Sequence, residues 1–288
     1  MSSNKRFKPP KKIPINPGHL ARLVDLYSED EQLESIRTRR WISCLALISV
    51  LDQVRDIKSE PLFLVKGGVA MELCFGADAR ATQDFDAVFL NEVEDLTDTL
   101  DKAFSKSSGD FSFQPLGKPK LIPNTKSYQL EIKITFANRG WQTIKMDIAT
   151  PEGSAMESDQ VGSALNIQDF KLFGSNKIPC LSVRYHIAEK LHAVTLTYNG
   201  KENPRYWDLI DLLLLRDLVS DLSSVREACD DVFKVREKHS WPPELRVPSF
   251  WLEPYAELAN ELKLKIVDVE EAAAEIRTLI AEIEDTRQ

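Results

Sequence analysis

Three short stretches carry residue types suited to a phosphate and a metal ion. In "FLVKGG" an apolar run ends on Lys66 and the pair Gly67 and Gly68, in "QDFDAVF" Asp84 and Asp86 flank Phe85, and "IKMDIA" holds Lys145 and Asp147. Side chains alternate along a strand, so Asp84 and Asp86 project to one side while Phe85 enters the packing. Like charges that close repel unless a cation sits between them, and hard oxygen donors suit Mg²⁺ or Mn²⁺. Asp147 on a neighbouring strand would complete the donor set, with Lys145 on the same face. The glycines supply the other half: a strand-to-helix turn without side chains presents backbone N–H groups and a helix N-terminus to a phosphate. A glycine pair alone also fits an ordinary tight turn. Joined to a D-x-D strand and a third strand aspartate, it points to metal-assisted phosphate chemistry.

The surrounding elements must position these groups. The strand-like runs "LFLV", "FDAVFL", "YQLEIKITFA" and "WQTIKMDIA" predict a sheet, the last two joined through "NRG" as a hairpin. A helix is expected over "NEVEDLTDTLDKAFSK". Another is expected over "SEDEQLESIRTRRWISCLALISVLDQV", where Ser28 and Glu31 have capping-box spacing. Beyond about residue 166 helical patterns dominate. The expected class is α+β, with a mixed-sheet domain followed by a helical one. The expected boundaries are a basic flexible arm at 1–16, an α/β domain with N-terminal helices at 17–165 and a helical domain at 166–288.

Composition narrows the setting. A chain of 288 residues can bury two cores, and its net charge of -8 disfavours coating nucleic acid through the whole surface. Basic residues gather locally in the arm, at Lys5, Arg6, Lys8, Lys11 and Lys12. Pro9, Pro10 and Pro14 stand where a signal peptide would be apolar, and no run approaches the roughly 18 apolar residues of a membrane helix, so a cytoplasmic protein is expected. Cys44, Cys74, Cys180 and Cys229 lie far apart and read as buried thiols.

The motifs "KGGVAM", "RATQDFDAVF", "IKMDIAT" and "EKLHAVTLTYNGKENPRYWDLIDLLLL", with the tail "WPPELRVPSFWLEPYAELANELKL", resemble the AbiEii/AbiGii toxin family of nucleotidyltransferases within the polymerase-β-like superfamily. Val69 and Met71 depart from the Thr and Leu of that pattern, at packing positions. The resemblance implies a polymerase-β-like nucleotidyltransferase fold and transfer of a nucleoside monophosphate from an NTP. It makes Asp84, Asp86 and Asp147 the metal ligands and Gly67 and Gly68 the holders of the triphosphate. Lys190 and Asp208 match the family's later Lys and Asp motifs and join the catalytic set; Asp211 shares the face of Asp208 and is its alternative. Lys66, Arg80, Lys145, Lys190 and Arg205 are the basic residues directed to the nucleotide. The family further implies a toxin of a toxin–antitoxin or phage-defence pair, with a cognate antitoxin and an RNA acceptor such as a tRNA 3′ end. Two other readings are an antibiotic-modifying type of small-molecule nucleotidyltransferase and a catalytically silent nucleotide-binding protein.

Physical chemistry fits several of these roles. Lys190 offers a point charge to a phosphate. In "KENPRYWD", Asn203 as cap and Pro204 in the first turn predict a helix start that sets Lys201 and Arg205 at its positive end. The structural alternative is an Arg205–Asp208 pair that stabilises the helix. Tyr206 and Trp207 either pack or stack on a base, and His192 reads as a core histidine. Neither a zincin H-E-x-x-H, a Walker A loop nor G-x-G-x-x-G occurs.

Overall fold

The computed structural model describes residues 6–123, 125–152, 157–197 and 202–286. The chain forms two compact units. The first comprises 1–77, 81–150 and 160–180, and the second comprises 78–80, 151–159 and 181–288.

The first unit opens with helices α1 (Pro17–Glu31) and α2 (Ser35–Leu51). Ser28 and Glu31 therefore end α1 instead of capping a helix; Ser28 is buried and its hydroxyl bonds to Thr38 at 2.8 Å. The sheet follows: β1 (Phe63–Lys66), β2 (Phe85–Phe89), β3 (Phe111–Pro115), β4 (Lys120–Leu121), β5 (Ser127–Phe136), β6 (Arg139–Ala149), β7 (Ser158–Gly162) and β8 (Lys177–Leu181). Helices α3 (Gly67–Phe75) and α4 (Leu96–Phe104) connect β1 to β2 and β2 to β3. The order is β3-β5-β6-β2-β1-β8-β7, with β4 beside β5. β2 runs parallel to β6 and β1 to β8, whereas β1–β2 and β5–β6 are antiparallel, so the sheet is mixed. β8 lies beyond residue 165, within the stretch where helices were expected to dominate.

Alternation builds the core. Leu130, Ile132, Ile134 and Phe136 of β5 and Ile144, Met146 and Ile148 of β6 are buried with Phe85, Ala87 and Phe89, and the helices contribute Trp41, Leu45, Leu47, Leu100 and Ala103. The polar partners of each pair face the other way. Ala137 and Asn138 take the β5–β6 turn with φ of 48° and 59°, the two-residue left-handed turn that suits the twist of a hairpin.

The second unit holds α5 (Val183–Thr195), α6 (Trp207–Arg216), α7 (Leu222–Arg236), α8 (Leu252–Glu261) and α9 (Val269–Asp285). α5 packs on α6 and α7, and α9 on α6, α7 and α8. Leu191, Leu209, Leu212, Val232, Trp251, Tyr255, Ile276 and Ile283 fill this core. Among the described residues no helix is long and apolar enough to cross a membrane.

Candidate active site

One row of paired residues crosses five strands of the first unit: Lys66 beside Asp86, Asp86 beside Asp147, Asp147 beside Gln129, and Gln129 beside Lys120. Paired neighbours on adjacent strands share a face and stand roughly 5 Å apart. Asp86 and Asp147 are thus adjacent carboxylates on one side of the sheet. Gln129 Nε2 donates to Asp147 Oδ1 at 2.9 Å, which fixes that carboxylate. Asp84 lies one residue before β2 and pairs with Lys145 Nζ at 3.4 Å, both side chains being more than two-fifths exposed.

The glycine turn closes on this row. Gly67 begins α3 with φ +65°, in the left-handed region. A Cβ there would stand 2.3 Å from Asp86 Oδ2, so the carboxylate occupies the space a side chain would fill. Only glycine meets both demands. Gly68 is buried in the first turn of α3, and Val69 and Met71 are buried as packing residues. Among the described residues no three acidic, histidine or cysteine side chains converge as a ready metal cage. The donor set of Asp84, Asp86 and Asp147 is nevertheless all hard oxygen, with Asp86 and Asp147 adjacent, and it fits a divalent cation in chemistry.

A different arrangement surrounds Lys190 in the second unit. Its buried ammonium bonds Asp211 Oδ2 at 2.5 Å and Asp208 Oδ1 at 3.2 Å. Arg205 Nε reaches Asp208 Oδ2 at 2.5 Å and Arg80 Nε reaches Asp211 Oδ2 at 3.3 Å. Both aspartates are fully buried. Burial alone would lower the Lys190 pKa, but Asp211 and Asp208 outweigh it and hold the value above normal. Burial would likewise raise Asp208, yet Lys190 and Arg205 keep it below the usual carboxylate range. Asp208 and Asp211, nominated as alternatives, both bind Lys190. The guanidinium groups of Arg80 and Arg205 lie 5.7 and 5.8 Å from the Trp207 ring centre, within cation–π range, and Tyr206 meets the same ring edge-on.

Of the other expectations, some change and some hold. Asn203 does not cap α6, which starts at Trp207 after Tyr206. Its amide donates to the carbonyls of Ala193, Val194 and Leu196, satisfying the end of α5, while its Oδ1 accepts from the Arg205 N–H at 3.0 Å. Arg205 itself is engaged by Asp208. The arm is docked at its inner end: Arg6 bonds Glu29 and Asp30, and Phe7 packs on Tyr27 and Phe170. Lys5 and Lys201 lie outside the described residues. His192 is buried against Phe233 and His239, and burial together with Arg236 pushes its pKa down to about 3. Cys44, Cys180 and Cys229 are buried and Cys74 is partly buried, and none of the four is in a disulfide. Gln129 was not foreseen. Its odd spacing from the buried residues of β5 marks only the open face, and its partner is on another strand.

A mixed sheet that sets a glycine turn against strand aspartates, followed by a helical region, is the architecture of a nucleotidyltransferase. The chain belongs to the family described as "Nucleotidyl transferase AbiEii toxin, Type IV TA system", whose sequence profile matches residues 49–286. It is accordingly a nucleotidyltransferase toxin of a type IV toxin–antitoxin system. Among solved structures it is similar to MenT4, a nucleotidyltransferase toxin from Mycobacterium tuberculosis H37Rv. That match has a TM-score of 0.52 and 16% identity over 91% of this chain and 98% of that one. The likeness is one of fold. No curated protein matches.

Proposed function

We propose that this protein transfers a nucleoside monophosphate from an NTP to an RNA acceptor, a tRNA 3′ end being the favoured case. Asp84, Asp86 and Asp147 would hold Mg²⁺ or Mn²⁺. The observation that carries this reading is the carboxylate of Asp86 lying in the space over Gly67, beside Asp147. A bound divalent ion supplies charge neutralisation on the triphosphate and holds attacking and leaving oxygens in line.

The chain's own residues do the rest. The amides at Gly67 and Gly68, with the N-terminus of α3, face phosphate oxygens, and Lys66 and Lys145 add positive charge on the same row and the next. Gln129 orients Asp147, which suits it to accept the proton of an attacking hydroxyl. In the second unit Lys190, Arg80 and Arg205 outnumber Asp208 and Asp211, leaving a surplus positive charge that favours a phosphate group. Such a reaction belongs in the cytoplasm, where NTPs and tRNA meet, with a cognate antitoxin to restrain it.

The test is direct. Purified protein incubated with each labelled NTP, Mg²⁺ and total cellular RNA or protein should label an RNA band of tRNA size with one preferred nucleotide. Label appearing only in protein or in a small molecule would overturn the RNA assignment, and no label with any NTP would overturn the transfer reading.

A further inference from the structure

All but the last three residues of α2 precede the family match, yet two of its side chains reach α3 and the residue that follows it. Arg37 Nε donates to Glu72 Oε1 at 2.6 Å, and Arg40 Nη2 donates to both Glu72 oxygens at 2.9 and 2.8 Å. Arg37 Nη2 also holds the Gly76 carbonyl, just past the end of α3, at 3.0 Å. Glu72 is fully buried within α3, and its Oε2 accepts the backbone N–H of Thr82 at 3.1 Å. A lone carboxylate in such a place would lose its hydration; here the two guanidiniums and the Thr82 amide replace it with hydrogen bonds.

The connections give this ion cluster a direction. Glu72 lies on the helix whose first residue, Gly67, meets Asp86, and it bonds the amide two residues before Asp84. One carboxylate thus ties the glycine-bearing helix to the strand entry that carries the acids. Its anchors, Arg37 and Arg40, come from a third element. An ion pair serving only the core has no need of the Thr82 amide.

We propose that Glu72, gripped by Arg37 and Arg40, is a positioning residue that sets Asp84 and Asp86 against the glycine turn. This rests on the reading of those aspartates as cation ligands. Two measurements on the full chain test it: amide hydrogen exchange of the metal-free protein, and calorimetric titration with Mn²⁺ alone. In Glu72→Gln the amides at 81–85 should exchange at least tenfold faster while those of β5 hold. The Mn²⁺ dissociation constant should rise about tenfold, as when a ligand loses the group that orients it. Arg37→Met, which leaves Glu72 paired with Arg40, should shift both readouts the same way and decides the matter if Glu72→Gln fails to fold. A folded variant with wild-type exchange at 81–85 and wild-type Mn²⁺ affinity overturns the proposal. Faster exchange at 81–85, in a protein whose wild type binds no Mn²⁺, would support the brace and sink the cation reading instead.

Discussion

The two clusters of charge in this protein use the same residue types in opposite ways. On the sheet, Asp84 and Lys145 are more than two-fifths exposed, and Asp86 and Asp147 stand side by side as like charges. In the helical unit, Lys190, Asp208 and Asp211 are at most 7% exposed and each finds an opposite charge. A half-open site in which two carboxylates stand side by side gains by binding a cation, whereas a buried and compensated network is already part of the fold. Substitutions should therefore separate the regions: changes on the sheet should damage transfer and spare stability, and changes in the network should damage stability first.

The largest effect is expected at Asp86. Asp86→Ala should lower kcat/KM for nucleotidyl transfer by about 10³-fold or more, the scale for losing a group that holds charge in the transition state. Asp86 stands between Lys66 and Asp147, so its removal gives up an attraction together with a repulsion, and the variant should melt near the wild-type temperature. Parallel calorimetry and labelled-NTP assays check both halves, and wild-type transfer by a folded Asp86→Ala would remove the distinction between the regions.

Lys190→Met tests the other region. It leaves Asp208 and Asp211 buried without their shared cation, a change that costs about 3–5 kcal/mol and lowers Tm by roughly 10 °C. The pH signs follow from the two shifts. Asp208 is depressed in the fold, so its share of stability is complete above the unfolded value near pH 4 and lost as pH falls through the folded one. Lys190 is raised, so its share is complete below about pH 10.4 and lost as pH rises through its folded value. The stability gap between wild type and Lys190→Met, from urea unfolding, should be flat between roughly pH 5 and 10. A variant that loses only transfer, with an unchanged Tm, would make Lys190 a ligand-facing charge like those on the sheet.

The same contrast explains what was legible in the sequence. The period of two in "DFDAVF" and "IKMDIA" is local, so the shared face of the acids and the β5–β6 hairpin could be read directly. β8 could not, because "KIPCL" is short and Pro179 lacks the N–H of a regular strand residue. Asn203 has the look of a local cap, but its amide finds stronger claims among carbonyls of α5 some seven to ten residues away. The Arg205–Asp208 pair, three residues apart, was legible as the structural alternative to a free anion site. Glu72 sits 35 and 32 residues from Arg37 and Arg40, at a spacing that no periodic pattern records.

Gly67→Ala sharpens the sheet side of the comparison. A left-handed alanine costs about 1–2 kcal/mol, and the new methyl would displace Asp86. Transfer should fall by about 10²-fold, an ordinary penalty for misplacing a reacting group by around 1 Å, while Tm drops by only a few degrees. A loss of stability matching that of Lys190→Met would place the glycine turn among the structural elements.

The smallest effect is expected at Gln129, where the comparison becomes most exacting. Gln129→Leu keeps the volume of the side chain but removes the N–H that holds Asp147 Oδ1 at 2.9 Å. Gln129 is only partly buried, so water can replace the lost donor and stability should stay within about 0.5 kcal/mol. What changes is orientation: Asp147 is freer to turn from the Asp86 side of the row. If Asp147 takes part in the reaction, kcat should fall about tenfold, with KM for the NTP unchanged, because the glycine turn and the basic residues still meet the triphosphate. If Asp147 is idle, kcat stays at the wild-type value and the working acids reduce to Asp84 and Asp86. A rise in KM alone would move Gln129 from the acceptor side of the site to the nucleotide side. Single-turnover rates with saturating and limiting NTP distinguish these outcomes.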